Sequence, residues 1–199
     1  MEKIVLATHN RHKCEEFRDM LKDRYDIVSL DDIGLNDEIP ETGTTFHENA
    51  RQKAEFVRNW LMAKTGETTD VMADDSGLIV DYLNGEPGIY SARYAKDGID
   101  EHNIDLLLKN MQGQTNRKAK FVSCLVYYEP NGNITTAVGE SIGEITTERK
   151  GNNGFGYDPV FYSYELKKVY GDCEKGEKNT VSHRFKAITK LKELLKDKE

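Results

Sequence analysis

The stretch MADDSGLIVDYLNGEPGIYSARYA, Met72 to Ala95, is the one around which the chain is best read. A short apolar approach, Val71-Met72-Ala73, runs into two adjacent carboxylates, Asp74 and Asp75. Ser76 and Gly77 follow, and then a second apolar run from Leu78 to Val80. Asp, Ser and Gly favour turns for local backbone reasons, so the segment is expected to turn at the acids. A plain turn is one reading. The other is a site, because carboxylates held between apolar runs offer the oxygen ligands that Mg²⁺ takes while keeping its waters. Adjacent residues of an extended chain point to opposite sides, so the two acids are expected to have different jobs.

Upstream, Lys3 to Thr8 reads as a short buried strand, followed by the polar stretch His9-Asn10-Arg11-His12-Lys13 and a helix with apolar spacing at Phe17, Met20 and Leu21. Strand, tight loop and helix N-terminus form a recurrent anion-binding arrangement. Lys13 sits where a cation is disfavoured unless an anion compensates it. Tyr25 to Leu30 reads as a second strand and residues 31–43 as an acidic loop containing Glu41. Thr45-Phe46-His47-Glu48 is a capping box opening a helix to about Lys64, with Gly66 just past its end. On a helical wheel Phe46, Ala50, Val57 and Trp60 share a face, and Lys53 falls inside that stripe with Asn49 beside it. Lys53 either snorkels to the edge or aims at an anion.

Downstream, Asp100 is expected to cap a helix carrying Ile104, Leu107, Leu108 and Met111. Lys118 to Tyr128 reads as a strand, Asn131-Gly132 as a hairpin turn, and Ile134 to Val138 as the return strand, with Ser141 to Thr147 continuing the antiparallel section. In GNNGFGYDPVF, Gly151 to Phe161, glycines permit close backbone approach and Phe155 and Tyr157 supply flat faces for a base; a glycine loop leading into a strand over Pro159 to Tyr162 is the plainer alternative. Ser182 is expected to cap a terminal helix with Ala187, Ile188, Leu191, Leu194 and Leu195 on one face. His183 and Arg184 crowd its first turn, a position that suits basic groups only if something anionic or carbonyl-bearing faces them.

The 199 residues suffice for a single domain, 1–199, with a sizeable core. A net charge of −7 argues against broad nucleic-acid binding, which runs on excess Lys and Arg. Cys14, Cys124 and Cys173 are scattered and odd in number, which suggests neither a disulfide framework nor a zinc site and fits a reduced, cytoplasmic setting. The apolar run Ile4 to Ala7 is too short for a signal segment, and no stretch is expected to span a bilayer.

Five segments together resemble the inosine triphosphate pyrophosphatase family over nearly the whole chain, in order. ATHNRHK resembles that family's A-T-x-N-x-x-K opening and ETGTTFHENARQKA its E-T-G-x-T-F-x-E-N-A-x-x-K-A helix. ADDSGLIVDYLNGEPGIYSARYA is close to the family signature, and GFGYDPVF and KNTVSHRFKA complete the set. The resemblance implies Mg²⁺-dependent hydrolysis of ITP, dITP or XTP to the monophosphate and pyrophosphate. It also implies an elongated α/β fold with a mixed sheet, two lobes with a nucleotide cleft between them, and a homodimer.

Carried over by position, Thr8, His9, Asn10, Arg11, His12 and Lys13 line the phosphates. Asp75 is the proton acceptor and a metal ligand, and Glu41 joins it at the metal. Lys13, Lys53 and Asp74 complete the catalytic set, and Ser76 contacts substrate. Phe155, Gly156, Tyr157 and Asp158, with Lys178, His183 and Arg184, hold the nucleoside end. His183 and Arg184 are the donors expected to face the six-position oxygen of the base. A house-cleaning pyrophosphatase of other modified nucleotides, or a catalytically idle nucleotide-binding protein on the same fold, are the alternatives. The sequence departs from the family pattern at His12 and Lys96, each standing where a glycine is common, and at Gly171 and Gly176, which make the segment from Val169 to Asn179 less helix-like.

Overall fold

The short apolar runs and amphipathic segments of the first third become β1 (Glu2–Leu6), α1 (Arg11–Leu21), β2 (Tyr25–Val28) and α2 (Phe46–Thr65). They are followed by β3 (Asp70–Val80), α3 (Asp100–Asn110), β4 (Lys118–Tyr128), β5 (Ile134–Ile145), β6 (Phe161–Ser163), β7 (Lys168–Val169) and α4 (His183–Lys196). This computed structural model describes residues 1–196. The seven strands form one mixed sheet in the order β2-β1-β3-β4-β5-β6-β7. β1 pairs in parallel with both β2 and β3, which requires the crossovers that α1 and α2 supply. β5, β6 and β7 pair antiparallel. β4 is buried continuously from Phe121 to Tyr127, whereas β5 largely alternates buried with more exposed residues, as a strand covered on one face should. Among the described residues no helix is long and apolar enough to cross a membrane.

Contacts divide the chain into two compact units, the division on β3 falling between Asp75 and Ser76. The first comprises residues 1–75, 124–138 and the chain from Ala187. Its core has two clusters, one around Leu6, Phe17, Met72, Leu125 and Ile188 and one around Leu30, Ala54, Val57, Val71 and Val126. Each fully buried Val, Leu, Ile, Phe or Met side chain among them contributes about 1.5–3 kcal/mol. The second unit, residues 76–123 and 139–186, is built on Leu78, Leu107, Met111, Phe121, Phe161 and Tyr170.

Both ends of α2 and the start of α4 follow the sequence signals. Thr45 caps α2 by accepting the Glu48 N–H at 3.1 Å, and Gly66, at φ 74°, closes it with its N–H on Met62 O. Ser182 accepts the Phe185 N–H at the start of α4. The buried stripe of α2 consists of Asn49, Ala50, Lys53, Ala54, Val57 and Leu61, with Phe46 and Trp60 only half-buried at its margins.

Two expectations are corrected. The chain does not turn at Asp74 to Gly77: β3 runs unbroken from Asp70 to Val80. Local propensity is overridden because Asp74 and Asp75 are buried, 0% and 6% exposed, and each meets a lysine. Asp100 does not cap α3, whose N-cap is Ile99. The Asp100 carboxylate instead accepts the Gly156 N–H at 2.9 Å.

Lys96 adopts φ 72°, a left-handed conformation that costs an L-residue roughly 1 kcal/mol and glycine almost none. Lys96→Gly is therefore expected to raise stability by about 1 kcal/mol in chemical denaturation. An unchanged midpoint would show the strain to be absent.

Candidate active site

In the first unit the polar centre is assembled on β3. Asn10 caps α1 by accepting the Lys13 N–H at 3.1 Å, which fixes the start of the helix. The Lys13 ammonium then reaches Asp74 Oδ2 at 2.8 Å, supplying the anion that a lysine in a first turn needs. Lys53 comes from α2. Its Nζ donates to Glu41 Oε1 at 2.7 Å and to Asp74 O at 2.8 Å, and lies 3.4 Å from Asp75 Oδ1. Lys53 is only 5% exposed, so it does not snorkel. As alternation along a strand demands, the two acids meet different lysines. Asp75 Oδ2 is buried and accepts no hydrogen bond.

Burial pushes the Asp75 carboxyl above the usual aspartate range; Lys53 and Lys13 pull it down, while Glu41 and Asp74 add to the rise. Burial by itself would lower the Lys53 ammonium, yet the carboxylates of Asp75, Glu41 and Asp74 hold it above its ordinary value. This is an acid kept ready for a proton beside a permanent cation.

The phosphate-loop candidates are more exposed. Thr8 Oγ1 accepts the Asn10 N–H, the His9 ring bonds Asp37 O at 2.9 Å, and Arg11 pairs with Glu15 along α1. His12 lies exposed on the first turn.

In the second unit Asp158, 2% exposed, accepts from Lys178 Nζ at 2.8 Å and from the Phe155 N–H at 3.0 Å. The Phe155 ring is flanked by Lys178 and Arg184, with Nζ and Cζ at 4.8 and 5.5 Å from its centroid. Arg184 also donates to Ser76 Oγ at 2.8 Å, and His183 stacks on Phe121 with centroids 4.9 Å apart. Gly156 is held by Asp100. Tyr157 is buried in the core and its hydroxyl donates to Ser91 O at 2.7 Å, so of the two aromatic faces in this loop Phe155 is the half-exposed one.

The family model for the Ham1 family matches residues 4–194. The chain belongs to the Ham1 family. A dITP/XTP pyrophosphatase of Clostridium perfringens is 44% identical over 200 residues, covering 98% of each chain. One of Bacillus licheniformis is 46% identical over 199 residues, again covering 98% of each. The solved structure of the Staphylococcus aureus Ham1 protein matches with a TM-score of 0.85 at 38% identity, covering 100% of each chain.

In this Ham1 chain the sequence motifs located the charged groups but not what binds them. Asp100 was missed as a holder of the Gly156 loop because Asp before a helix looks like a cap, and a pairing across 56 residues leaves no local trace. Likewise Thr42 and Gln52, which bond each other beside the Glu41–Lys53 pair, read as ordinary loop and helix-surface residues.

The raised Asp75 carboxyl fixes the sign of its contribution to stability. The fold binds that proton more tightly than the unfolded chain does, so the contribution is fullest below the unfolded value near 3.9 and is lost as pH rises through the raised folded value. Asp75→Asn is therefore expected to keep or raise the thermal midpoint at neutral pH. Lys13→Met, which strips a lysine from the fully buried Asp74, is expected to cost about 3 kcal/mol. A large loss of stability in Asp75→Asn would make Asp75 a structural anion.

Proposed function

We propose that this chain hydrolyses non-standard purine nucleoside triphosphates, ITP, dITP and XTP, to the nucleoside monophosphate and pyrophosphate. The observation that carries the reading is the polar centre on β3: two buried acids with separate lysines, one of them keeping an unspent carboxylate oxygen. Full-length identity to dITP/XTP pyrophosphatases supports it.

Lys13 and Lys53 counter the polyphosphate charge, aided by the backbone from Thr8 to His12 at the N-terminus of α1. Asp75 accepts the proton of the water that attacks the α-phosphorus, and its raised pKa suits that task. Asp74 holds Lys13 in position. Phe155 offers its face to the base and Arg184 its guanidinium to the six-position oxygen, with His183 beside it. Asp158 keeps Lys178 and the Phe155 backbone in place, and Gly156 and Tyr157 shape the loop.

The residues fit Mg²⁺. Glu41 and Asp75 are two carboxylates on the same lysine, and the ion binds through one or two carboxylates together with phosphate oxygens and water. Among the described residues no three His, Cys, Asp or Glu side chains converge as a cage, which such a site does not need. Charge favours the ion as well. Glu41, Asp74 and Asp75 outnumber Lys13 and Lys53, so a substrate of about four negative charges needs a further cation. When bound, the ion supplies charge neutralisation at the phosphates and activation of water. A homodimer accompanies this reading through the family resemblance and a cytoplasmic location through the three scattered cysteines, and light scattering on the purified protein tests the first.

Pyrophosphate release with ITP, XTP, GTP and dTTP decides the reading. A kcat/KM for ITP or XTP roughly 10²-fold above that for GTP is expected; equal values, or no release, would overturn it. Asp75→Asn should lower kcat by about 10³-fold while nucleotide binding stays measurable by calorimetry. Lys53→Met should impair turnover more than folding.

A further inference from the structure

The loop that carries Glu41 is fastened to α2 residue by residue. Glu41 bonds to Lys53 at 2.7 Å. Next to it, the Thr42 N–H donates to Gln52 Oε1 at 2.8 Å while Gln52 Nε2 donates back to Thr42 Oγ1 at 2.9 Å. The Gly43 N–H donates to Asn49 Oδ1 at 2.8 Å. Thr44 gives both its N–H, at 2.7 Å, and its hydroxyl, at 3.0 Å, to Glu48 Oε2. Four consecutive loop residues thus run antiparallel to the first turns of α2, each held by a helix side chain.

At Gly43 the loop backbone lies directly against α2. A Cβ there would stand 2.6 Å from Glu48 Cβ and 2.9 Å from Asn49 Oδ1, so any larger residue would lift the loop away. Asn49 is 1% exposed, and its Nδ2 is buried with no hydrogen-bond partner. Burying a donor without a partner costs roughly 1–3 kcal/mol, so the amide is not explained by stability. Its oxygen, which holds Gly43, is what the position uses.

We propose that Gln52 and Asn49, with Glu48, are positioning residues that set where the Glu41 carboxylate stands relative to Lys53 and Asp75. This rests on Glu41 serving the reaction as proposed above. A carboxylate on an untethered loop would sample many positions. One whose next three residues are each bonded to the helix that also carries Lys53 keeps a fixed separation from that ammonium, and small misplacements near reacting groups are costly in rate.

Gln52 gives the cleanest test because it is only half-buried and its loss leaves no core cavity. With ITP as substrate, Gln52→Ala is expected to lower kcat about tenfold with KM changed less than threefold and the thermal midpoint within a degree or two. Gln52→Glu should restore the wild-type rate, since a carboxylate still accepts both the Thr42 N–H and its hydroxyl, as Glu48 does for Thr44. Asn49→Ala should act in the same direction. The decisive measurement is the double variant. If the clamp works through Glu41, Gln52→Ala adds no further loss in a Glu41→Gln background. Additive losses, a Gln52→Ala rate equal to wild type, or failure of Gln52→Glu to rescue would each overturn the proposal. Absence of ITP hydrolysis by the wild-type protein would instead overturn the functional reading on which it rests.

Discussion

Burying charge in the middle of a strand is the constraint on which the rest of this structure turns. Asp74 and Asp75 lie buried on β3, with the apolar Val71, Met72 and Ala73 before them and Leu78 beyond. An isolated carboxylate in such a place would take up a proton or unfold its surroundings. Here Lys13 arrives from the start of α1 and Lys53 from the buried stripe of α2. The two helices that make the parallel crossovers of β1, β2 and β3 therefore also deliver the counter-ions. Fold and polar centre depend on one another: the crossovers place the lysines, and the lysines let the acids remain in the sheet.

The pairing is unequal, and the inequality matters chemically. Asp74 is met by Lys13 at hydrogen-bonding distance, whereas Asp75 stands 3.4 Å from a lysine that is already shared with Glu41 and a backbone carbonyl. One acid thereby gives an oxygen to a close ammonium, and the other is left with an unspent oxygen and an elevated affinity for a proton. Two identical residue types, one position apart, acquire different chemistry because the alternation of the strand turns them toward different partners.

This also explains which parts of the molecule were legible in the sequence. Helices α1, α2 and α4, their caps at Thr45 and Ser182, and strand β4 follow from periodicity and capping chemistry, which are local. Asp74-Asp75-Ser76-Gly77 has the local composition of a turn, and only ion pairs to lysines distant in sequence convert it to a strand. The same limit hid the Asp100–Gly156 hydrogen bond, and it left Tyr157 looking like a free aromatic face when its ring is core and its hydroxyl is spent on Ser91. Motif residues were visible by identity; their partners were visible only in three dimensions.

The nucleoside-end candidates repeat the same logic in a different form. Lys178 spends its charge on Asp158, which in turn anchors the backbone of Phe155. The lysine still lies over the Phe155 ring, so its charge polarises that aromatic face as well as balancing the acid. Arg184 donates to a neutral hydroxyl, that of Ser76, and its guanidinium also lies over the Phe155 ring. Two cations from different segments thus share one aromatic face, and the carboxylate that anchors the backbone of that aromatic residue also partners one of them.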